Sequence, residues 1–219
     1  MSGALLQLAA LGSQDVYLTG NPEITLFKSG YQKHTHFALE TIQVSFDGED
    51  LNFGSNNSAT VTLDRAGDLI SKIVLVVKLD NCTDSSIEWG YIEKLGHSII
   101  NEISISIGQV EIDSFNKEWL NIYHELFGNK SHEKNYSKMI GDIPDLKKFN
   151  KTHNSYELFI PLEIWTSKSS SSAFPILALN KQNFQIKLSL NEAIDCINYK
   201  GSIEPSSLPT VKSAYLLVD

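Results

Sequence analysis

Apolar and polar residues alternate at every second position along most of this chain, which constrains its fold more than any other feature. Ile42, Val44 and Phe46 alternate with polar neighbours, similar runs recur as far as residues 184–190, and a last run at residues 211–218 closes the chain. Successive side chains of a strand point to opposite faces, so this period predicts strands with one face in a core. The other alternating positions are Val61 and Leu63; Leu69, Ile73, Leu75, Val77 and Leu79; Ile103, Ile105 and Ile107; Leu158, Ile160 and Leu162; and Phe184, Ile186, Leu188 and Leu190. About eight strands separated by turn residues predict a β-sandwich or jelly roll in one domain.

Two segments have helical spacing instead. Residues 87–95 predict a short amphipathic helix that ends at Gly96. A second helix is predicted between Ser114, its candidate cap, and Gly128, its end. Its apolar stripe consists of Phe115, Trp119, Ile122, Tyr123 and Leu126. We interpret this stripe as a core face packed on a sheet, because amphipathic helices usually bury their apolar side.

Two stretches lack any sustained period. Residues 129–154 are polar, and a connection of this length predicts a functional or a disordered loop. Residues 167–172 are serine except for Lys168, which predicts a second flexible loop.

The composition limits the classes of function. The chain has 219 residues, of which 42% are hydrophobic, and a formal net charge of −8. This charge argues against a surface that binds the nucleic acid backbone, and no apolar run has the length of a membrane-spanning helix. Cys82 and Cys196 stand far apart and outside any C-x-x-C pattern, so we predict two reduced thiols rather than a disulfide framework or a zinc site.

The N-terminal segment is apolar but lacks the basic residues of a signal peptide. Its large apolar residues are Leu5, Leu6, Leu8 and Leu11. We interpret residues 1–22 as a retained arm and residues 23–219 as the folded domain. An apolar arm of this kind requires a partner surface to cover it.

The sharpest enzymatic candidate is the trio His34, His36 and Glu40. On a strand these side chains would project from one face, which is how cupin barrels present ligands to Fe, Mn or Zn. The second half of the cupin pattern, a later glycine-rich segment with a third histidine, is missing. We therefore prefer a polar strand entry without metal or cofactor, and keep a cupin-like enzyme as an alternative. Another alternative is a carbohydrate- or ligand-binding β-sandwich that uses loops 129–154 and 165–174.

Five asparagines stand in N-x-[ST] sequons and are candidate glycosylation sites. They are Asn56, Asn81, Asn129, Asn135 and Asn150. The sequons matter only if the protein meets a glycosylating machinery.

An ordered set of stretches resembles one family closely. Residues 61–70 read VTLDRAGDLI, residues 107–113 read IGQVEID, and residues 118–126 read EWLNIYHEL. The other similar stretches are residues 15–40, 89–100, 160–162, 174–179 and 215–219. Together they resemble the first jelly roll of the major capsid proteins of nucleocytoplasmic large DNA viruses, over essentially the whole chain.

The resemblance implies an all-β fold, a single eight-stranded antiparallel jelly roll with short helices in the inter-strand loops. It also implies a non-enzymatic capsid protein that self-assembles into the icosahedral shell of a large double-stranded DNA virus. The implied partners are other capsid protein copies, in a homotrimer, and minor capsid proteins or an inner membrane layer, without direct contact to nucleic acid. The implied location is the virion, assembled in the host cytoplasm. Family members carry two jelly rolls in tandem, so we expect this chain to be a fragment or a naturally short single-jelly-roll paralogue.

Overall fold

The computed structural model describes residues 36–47, 51–54, 58–83, 87–201 and 208–219. Residues 40–219 form one compact unit. Of the unit that precedes it, only residues 36–39 are described, and they form neither helix nor strand. The predicted boundary between residues 22 and 23 lies outside the described residues and stays a prediction.

Strands dominate the described residues. The strands are β1 (Ile42–Ser45), β2 (Ser58–Leu63), β3 (Ile73–Leu79), β4 (Trp89–Tyr91), β5 (Ile100–Ile107), β6 (Val110–Asn116), β7 (Tyr156–Pro161), β8 (Phe184–Leu190), β9 (Ile197–Tyr199) and β10 (Val211–Val218). The α-helices are α1 (Leu95–Ser98), α2 (Lys117–Phe127), α3 (Glu133–Met139) and α4 (Pro144–Lys147). Four short 3-10 turns span Trp165–Ser167, Ser170–Ser172, Ile176–Ala178 and Ala193–Cys196.

The strands form two four-stranded antiparallel sheets and one small pair. The first sheet has the order β1-β10-β3-β7, and the second has the order β2-β8-β5-β6. Strands β4 and β9 pair separately. The first and last strands are neighbours, with Ile42 opposite Val218. The described residues thus contain ten strands where about eight were predicted for the chain, and eight of the ten lie in the two larger sheets.

Alternate side chains of the two larger sheets meet in one core. Val61 and Leu188 of the second sheet belong to the same buried cluster as Leu75 and Ile160 of the first. All four are fully buried. Burying an aliphatic side chain of this size contributes roughly 1.5–3 kcal/mol relative to leaving it in water. The period-two pattern is therefore the pattern of core contact.

The helix predicted over residues 87–95 is wrong. Trp89–Tyr91 forms strand β4, whose three residues are all buried. A Cβ on Gly90 would lie only 2.5 Å from the carbonyl oxygen of Lys147, so the glycine permits close backbone approach. Lys94 has a φ of 48°, in the left-handed region, and helix α1 begins only after it.

The polar segment 129–154 is an ordered connection rather than an irregular loop. It contains α3 and α4, and its end is tied to the strands by isolated bridges at Asn150 and His153. The serine-rich segment 167–172 also has regular structure, since two 3-10 turns contribute to it. Residues 129–154 are thus not an irregular, disordered stretch, while a functional role for this loop and flexibility of residues 167–172 stay predictions.

Candidate functional site: helix α2 and the cavities beside it

Helix α2 begins and ends through specific backbone contacts. The side-chain oxygen of Asn116 accepts a hydrogen bond from the backbone N–H of Trp119 at 3.2 Å, which caps the start of the helix. The N–H of Gly128 donates to the carbonyl of His124 at 2.8 Å at the other end. The predicted cap, Ser114, is wrong because strand β6 continues through it to Asn116.

The apolar stripe of α2 faces outward. Trp119 is 41% exposed, Ile122 51%, Leu126 70% and Phe127 67%. Tyr123 lies between them, and its ring centroid is 4.9 Å from that of Phe127. We call these five side chains the α2 apolar face. The prediction that this stripe packs in the core is wrong: Phe115 is buried but belongs to β6, and the buried apolar residue of the helix is Leu120.

Beneath α2, one buried histidine connects three helices. The side chain of His97 on α1 is fully buried. Its Nδ1 lies 2.7 Å from Oδ1 of Asn121 on α2, and its Nε2 lies 2.7 Å from the hydroxyl of Tyr136 on α3. An amide oxygen can only accept, so Nδ1 donates to it and Nε2 of the neutral ring accepts from Tyr136. The neutral imidazole therefore satisfies both partners.

The environment of His97 favours this neutral form. Burial lowers the pKa of His97 below its ordinary value of 6.5. A positive charge on the neighbouring Lys94 or His124 acts in the same direction, while the hydrogen bond to Asn121 and the carboxylate of Asp142 oppose it. Protonation would therefore disturb the junction of the helices.

A second contact layer holds α2 near its C-terminal end. The ring of His124 stacks on that of Tyr136, with centroids 4.3 Å apart and planes 10° from parallel. Lys94 forms an ion pair with Glu125. Nδ1 of His124 is buried and, within the described part of the chain, has no hydrogen-bond partner. Helix α2 is thus held by its contacts with α1, α3 and Lys94, while its apolar face is exposed to solvent.

Two cavities flank this helix. The larger has a volume of about 650 Å³ and is lined by Asn101, Glu102, Asp113, Ser114, Phe115, Asn116, Trp119, Glu163, Trp165 and Lys168. The smaller, of about 240 Å³, is lined by Tyr123, His124, Phe127, Gly128, Asn129, His132, Tyr136 and Glu163. Glu163 borders both, and burial raises the pKa of its carboxyl group.

Most of the chain is similar to known proteins. Residues 25–216 match the family model described as the major capsid protein N-terminus. The chain belongs to this family. It is 37% identical to capsid protein 1 of Acanthamoeba polyphaga mimivirus, over 90% of this chain and 35% of that protein. It is 34% identical to the major capsid protein of Pyramimonas orientalis virus, over 100% of this chain and 54% of that protein.

The structural comparison agrees with membership in the capsid family. The fold matches a chain of the quasi-atomic model of the PBCV-1 virus capsid with a TM-score of 0.70 and 25% identity. That match covers 89% of this chain and 44% of the other. The family resemblance seen in the sequence is confirmed. This capsid-family chain spans about one third to one half of the length of the two relatives above.

The residues of the metal-site alternative are not brought together on a strand in the described part of this capsid-family chain. His34 lies outside the described residues. His36 and Glu40 are exposed and lie in a segment without helix or strand. In the described ranges no group of three histidine, cysteine, aspartate or glutamate side chains is arranged to hold a metal ion. The two loops of the ligand-binding alternative line two different cavities. Residues of loop 129–154 line the smaller one, and Trp165 and Lys168 line the larger. Ligand binding by these loops stays a prediction.

Four of the five candidate sequons of the capsid-family chain lie at exposed asparagines. Asn81 accepts a hydrogen bond from the backbone N–H of Ser155, and Asn129 accepts one from the N–H of Ser131 at 3.0 Å. Asn135 lies on α3, and Asn150 forms a backbone bridge with Trp89. Asn56 lies outside the described residues, as do the four arm leucines, Leu5, Leu6, Leu8 and Leu11. Glycosylation and the role of the arm stay predictions.

The described α-helices of this capsid-family chain span 4 to 11 residues. Among the described residues, no helix has the length and apolar character needed to cross a membrane.

Proposed function

We propose that this chain is the N-terminal jelly roll of a viral capsid protein and acts by assembly rather than catalysis. In this proposal the two four-stranded sheets are the eight strands of a single jelly roll, and the β4–β9 pair is an addition at its side. The family match and the sheet orders β1-β10-β3-β7 and β2-β8-β5-β6 support it. The product of assembly is the icosahedral shell of a large double-stranded DNA virus.

The observation that carries the assembly role is the α2 apolar face. Ile122, Leu126 and Phe127 stand at i, i+4 and i+5 on a helix that is capped at its start and bonded to the buried side chain of His97. Each large apolar side chain contributes roughly 1.5–3 kcal/mol when it is taken out of water, before the ordering losses of association. An ordered helix that exposes such a surface is typical of a protein–protein contact. We assign this contact to neighbouring copies of the capsid protein.

The remaining partners follow from the same role. The assembled unit in this proposal is a homotrimer in a virion assembled in the host cytoplasm, with a second jelly roll supplied by the longer protein. The arm, residues 1–22, would reach an adjacent subunit or an inner layer, such as a minor capsid protein or membrane. The PBCV-1 chain with the matching fold is part of a virus capsid, which supports capsid copies as partners here.

Sedimentation velocity over a range of concentrations tests the assembly role of α2. The test variant combines Ile122→Ser, Leu126→Ser and Phe127→Ser. The matched control combines Leu69→Ser, Leu177→Ser and Ile194→Ser, which remove three exposed apolar side chains elsewhere. We expect the wild type and the control to associate with rising concentration and the α2 variant to stay in the smallest species. If all three proteins sediment alike, the assignment to α2 is wrong.

A further inference from the structure

Strand β6 is an edge strand with an unpaired side. It pairs with β5 and, within the described ranges, with no other strand. An edge of this kind presents N–H and C=O groups to any extended chain that can approach it. Natural proteins commonly block such edges with bulges or charges.

Part of this edge is blocked and part is regular. The β5–β6 register shifts between Ile105 and Ser106, which leaves Ile112 as the extra residue of a bulge. From Asp113 to Asn116 the register is regular. These four consecutive residues all line the larger cavity. The same cavity is lined by Asn101 and Glu102 of β5, the strand that pairs with β6, so it lies against this end of the β5–β6 ladder.

The rest of the cavity lining supplies charge and aromatic surface. Glu163, Trp165 and Lys168 belong to it, and Glu102 lies near the start of β5. In the described part of the chain, Glu102, Asp113 and Glu163 form no ion pair. The groove lining therefore has three carboxyl groups that form no ion pair and one ammonium, that of Lys168, while Lys72 adds a positive charge near Glu163.

We propose that this groove binds a basic, extended peptide segment of a partner protein, which adds to β6 as a further strand. Main-chain hydrogen bonds to residues 113–116 provide the register of such a complex. Lysine or arginine side chains of the peptide pair with Asp113 and Glu163 and lie against the indoles of Trp119 and Trp165. Burial raises the pKa of Glu163, and a bound cation relieves that destabilisation of its ionised form.

The charge of the edge argues against a second copy as the occupant. Glu111 and Asp113 both lie on β6. Two β6 strands paired across a two-fold axis would bring these like charges together, which destabilises a β-ladder. A basic segment has the complementary charge. The groove shares Trp119 with the α2 apolar face. Its other lining residues lie outside that face, and the peptide proposal does not depend on the assembly proposal.

Peptide binding to the whole chain tests the proposal. The probe is a synthetic peptide of alternating lysine and valine, blocked at both ends. The protein has three tryptophans, of which Trp89 is fully buried and the other two line the groove, so intrinsic fluorescence reports on the site. We expect saturable binding and slower amide hydrogen exchange at residues 113–116. Absence of that protection overturns the proposal.

Two modified peptides separate charge from strand pairing. A version with glutamate for lysine lacks the cations, and a version N-methylated at alternate amides lacks the backbone donors. We expect each to bind at least about tenfold more weakly, the effect of losing one or two charge-assisted or backbone hydrogen bonds. Equal binding of either peptide overturns the proposal.

Protein variants locate the site. Asp113→Asn combined with Glu163→Gln is expected to weaken binding roughly tenfold. The matched control is Glu111→Gln, which removes the same charge from the same strand outside the groove and should leave affinity unchanged. Circular dichroism checks folding, and a salt titration of the unmodified protein provides a test that needs no variant. Binding that is unaffected by the double substitution or by salt contradicts the site.

Discussion

Nδ1 of the buried His97 lies 2.7 Å from Oδ1 of Asn121, and this contact fixes helix α2 to the body of the sandwich. The other nitrogen of the same ring is bonded to Tyr136, so one imidazole serves three helices. The helix whose apolar side chains are exposed is therefore held in place through its polar side. This arrangement allows α2 to present Ile122, Leu126 and Phe127 to a neighbour.

Replacing His97 by alanine should destabilise the fold. The substitution leaves the amide of Asn121 and the hydroxyl of Tyr136 without a partner, and each unsatisfied buried polar group costs about 1–3 kcal/mol. We expect the free energy of unfolding in urea to fall by about 2–4 kcal/mol. His132→Ala is the control, because His132 is exposed and its side chain caps no helix. If the free energy of unfolding falls equally in the two variants, the hydrogen bonds of His97 do not stabilise the junction of the helices.

Stability should fall as the solution becomes acidic. Burial lowers the pKa of both His97 and His153 below the ordinary value of 6.5. Below pH 6.5 the unfolded chain binds protons at these positions while the folded chain does not, so protons favour unfolding. Their stabilisation is complete above pH 6.5 and is lost as pH falls towards their lowered values. Urea midpoints measured across this range should decrease, and less steeply in His97→Gln; an identical slope would exclude His97 as a contributor.

The contribution of Glu163 to stability should change with pH in the opposite direction, and it should do so starting from a lower pH. Burial raises the pKa of its carboxyl group above the ordinary 4.5, so above pH 4.5 the unfolded chain releases this proton more readily than the folded chain. Its contribution is present below pH 4.5 and is lost as pH rises through the raised value. The Glu163→Gln variant should lose this decline in urea midpoint. If the urea midpoints of the wild type and the variant depend on pH in the same way, the buried carboxyl group does not cause the decline.

Gly90→Ala should destabilise the pairing of β4 with the segment around α4. The added Cβ would lie 2.5 Å from the carbonyl oxygen of Lys147 and 3.0 Å from that of Lys148, both of which are backbone atoms. Such overpacking costs about 1–3 kcal/mol. Gly67→Ala is the matched control, since its Cβ would meet nothing closer than 4.0 Å. Thermal melts that show the same small change for both would contradict this close approach.

The sequence predicted the strands well because their burial follows a local period. Ile73, Leu75, Val77 and Leu79 alternate in the sequence and are all buried in the core. Strand β4 was missed for the same reason, since its three consecutive residues are all buried and have no alternation to detect. A three-residue strand gives a pattern too short to separate from a helix turn.

The sequence predicted helix α2, but it did not predict which residues the helix contacts or which face it exposes. The spacing of Trp119, Ile122 and Leu126 identifies an apolar face but cannot say what covers it. The hydrogen bonds of His97 were out of reach for a different reason. Its partners Asn121 and Tyr136 lie 24 and 39 residues away along the chain, so only the folded structure brings them together.

Deleting residues 1–12 should leave the domain folded and weaken its assembly. The deletion removes the four leucines of the predicted arm, whose burial on a partner would contribute several kcal/mol at about 25 cal/mol per Å². Circular dichroism should give the same melting curve for the two proteins. Sedimentation should show fewer large species for the shortened chain, and an unchanged oligomer distribution would exclude this role for the arm.

Hydroxyl-radical footprinting of assembled and dissociated protein tests the central claim most directly. In the dissociated protein, Trp119, Leu126 and Phe127 should be labelled readily, as should the control residue Leu177, which is 52% exposed. On assembly we expect labelling of the three α2 side chains to fall several-fold relative to Leu177, because a covered side chain is shielded from solvent. If the α2 side chains are labelled equally in both states, helix α2 is not the assembly surface.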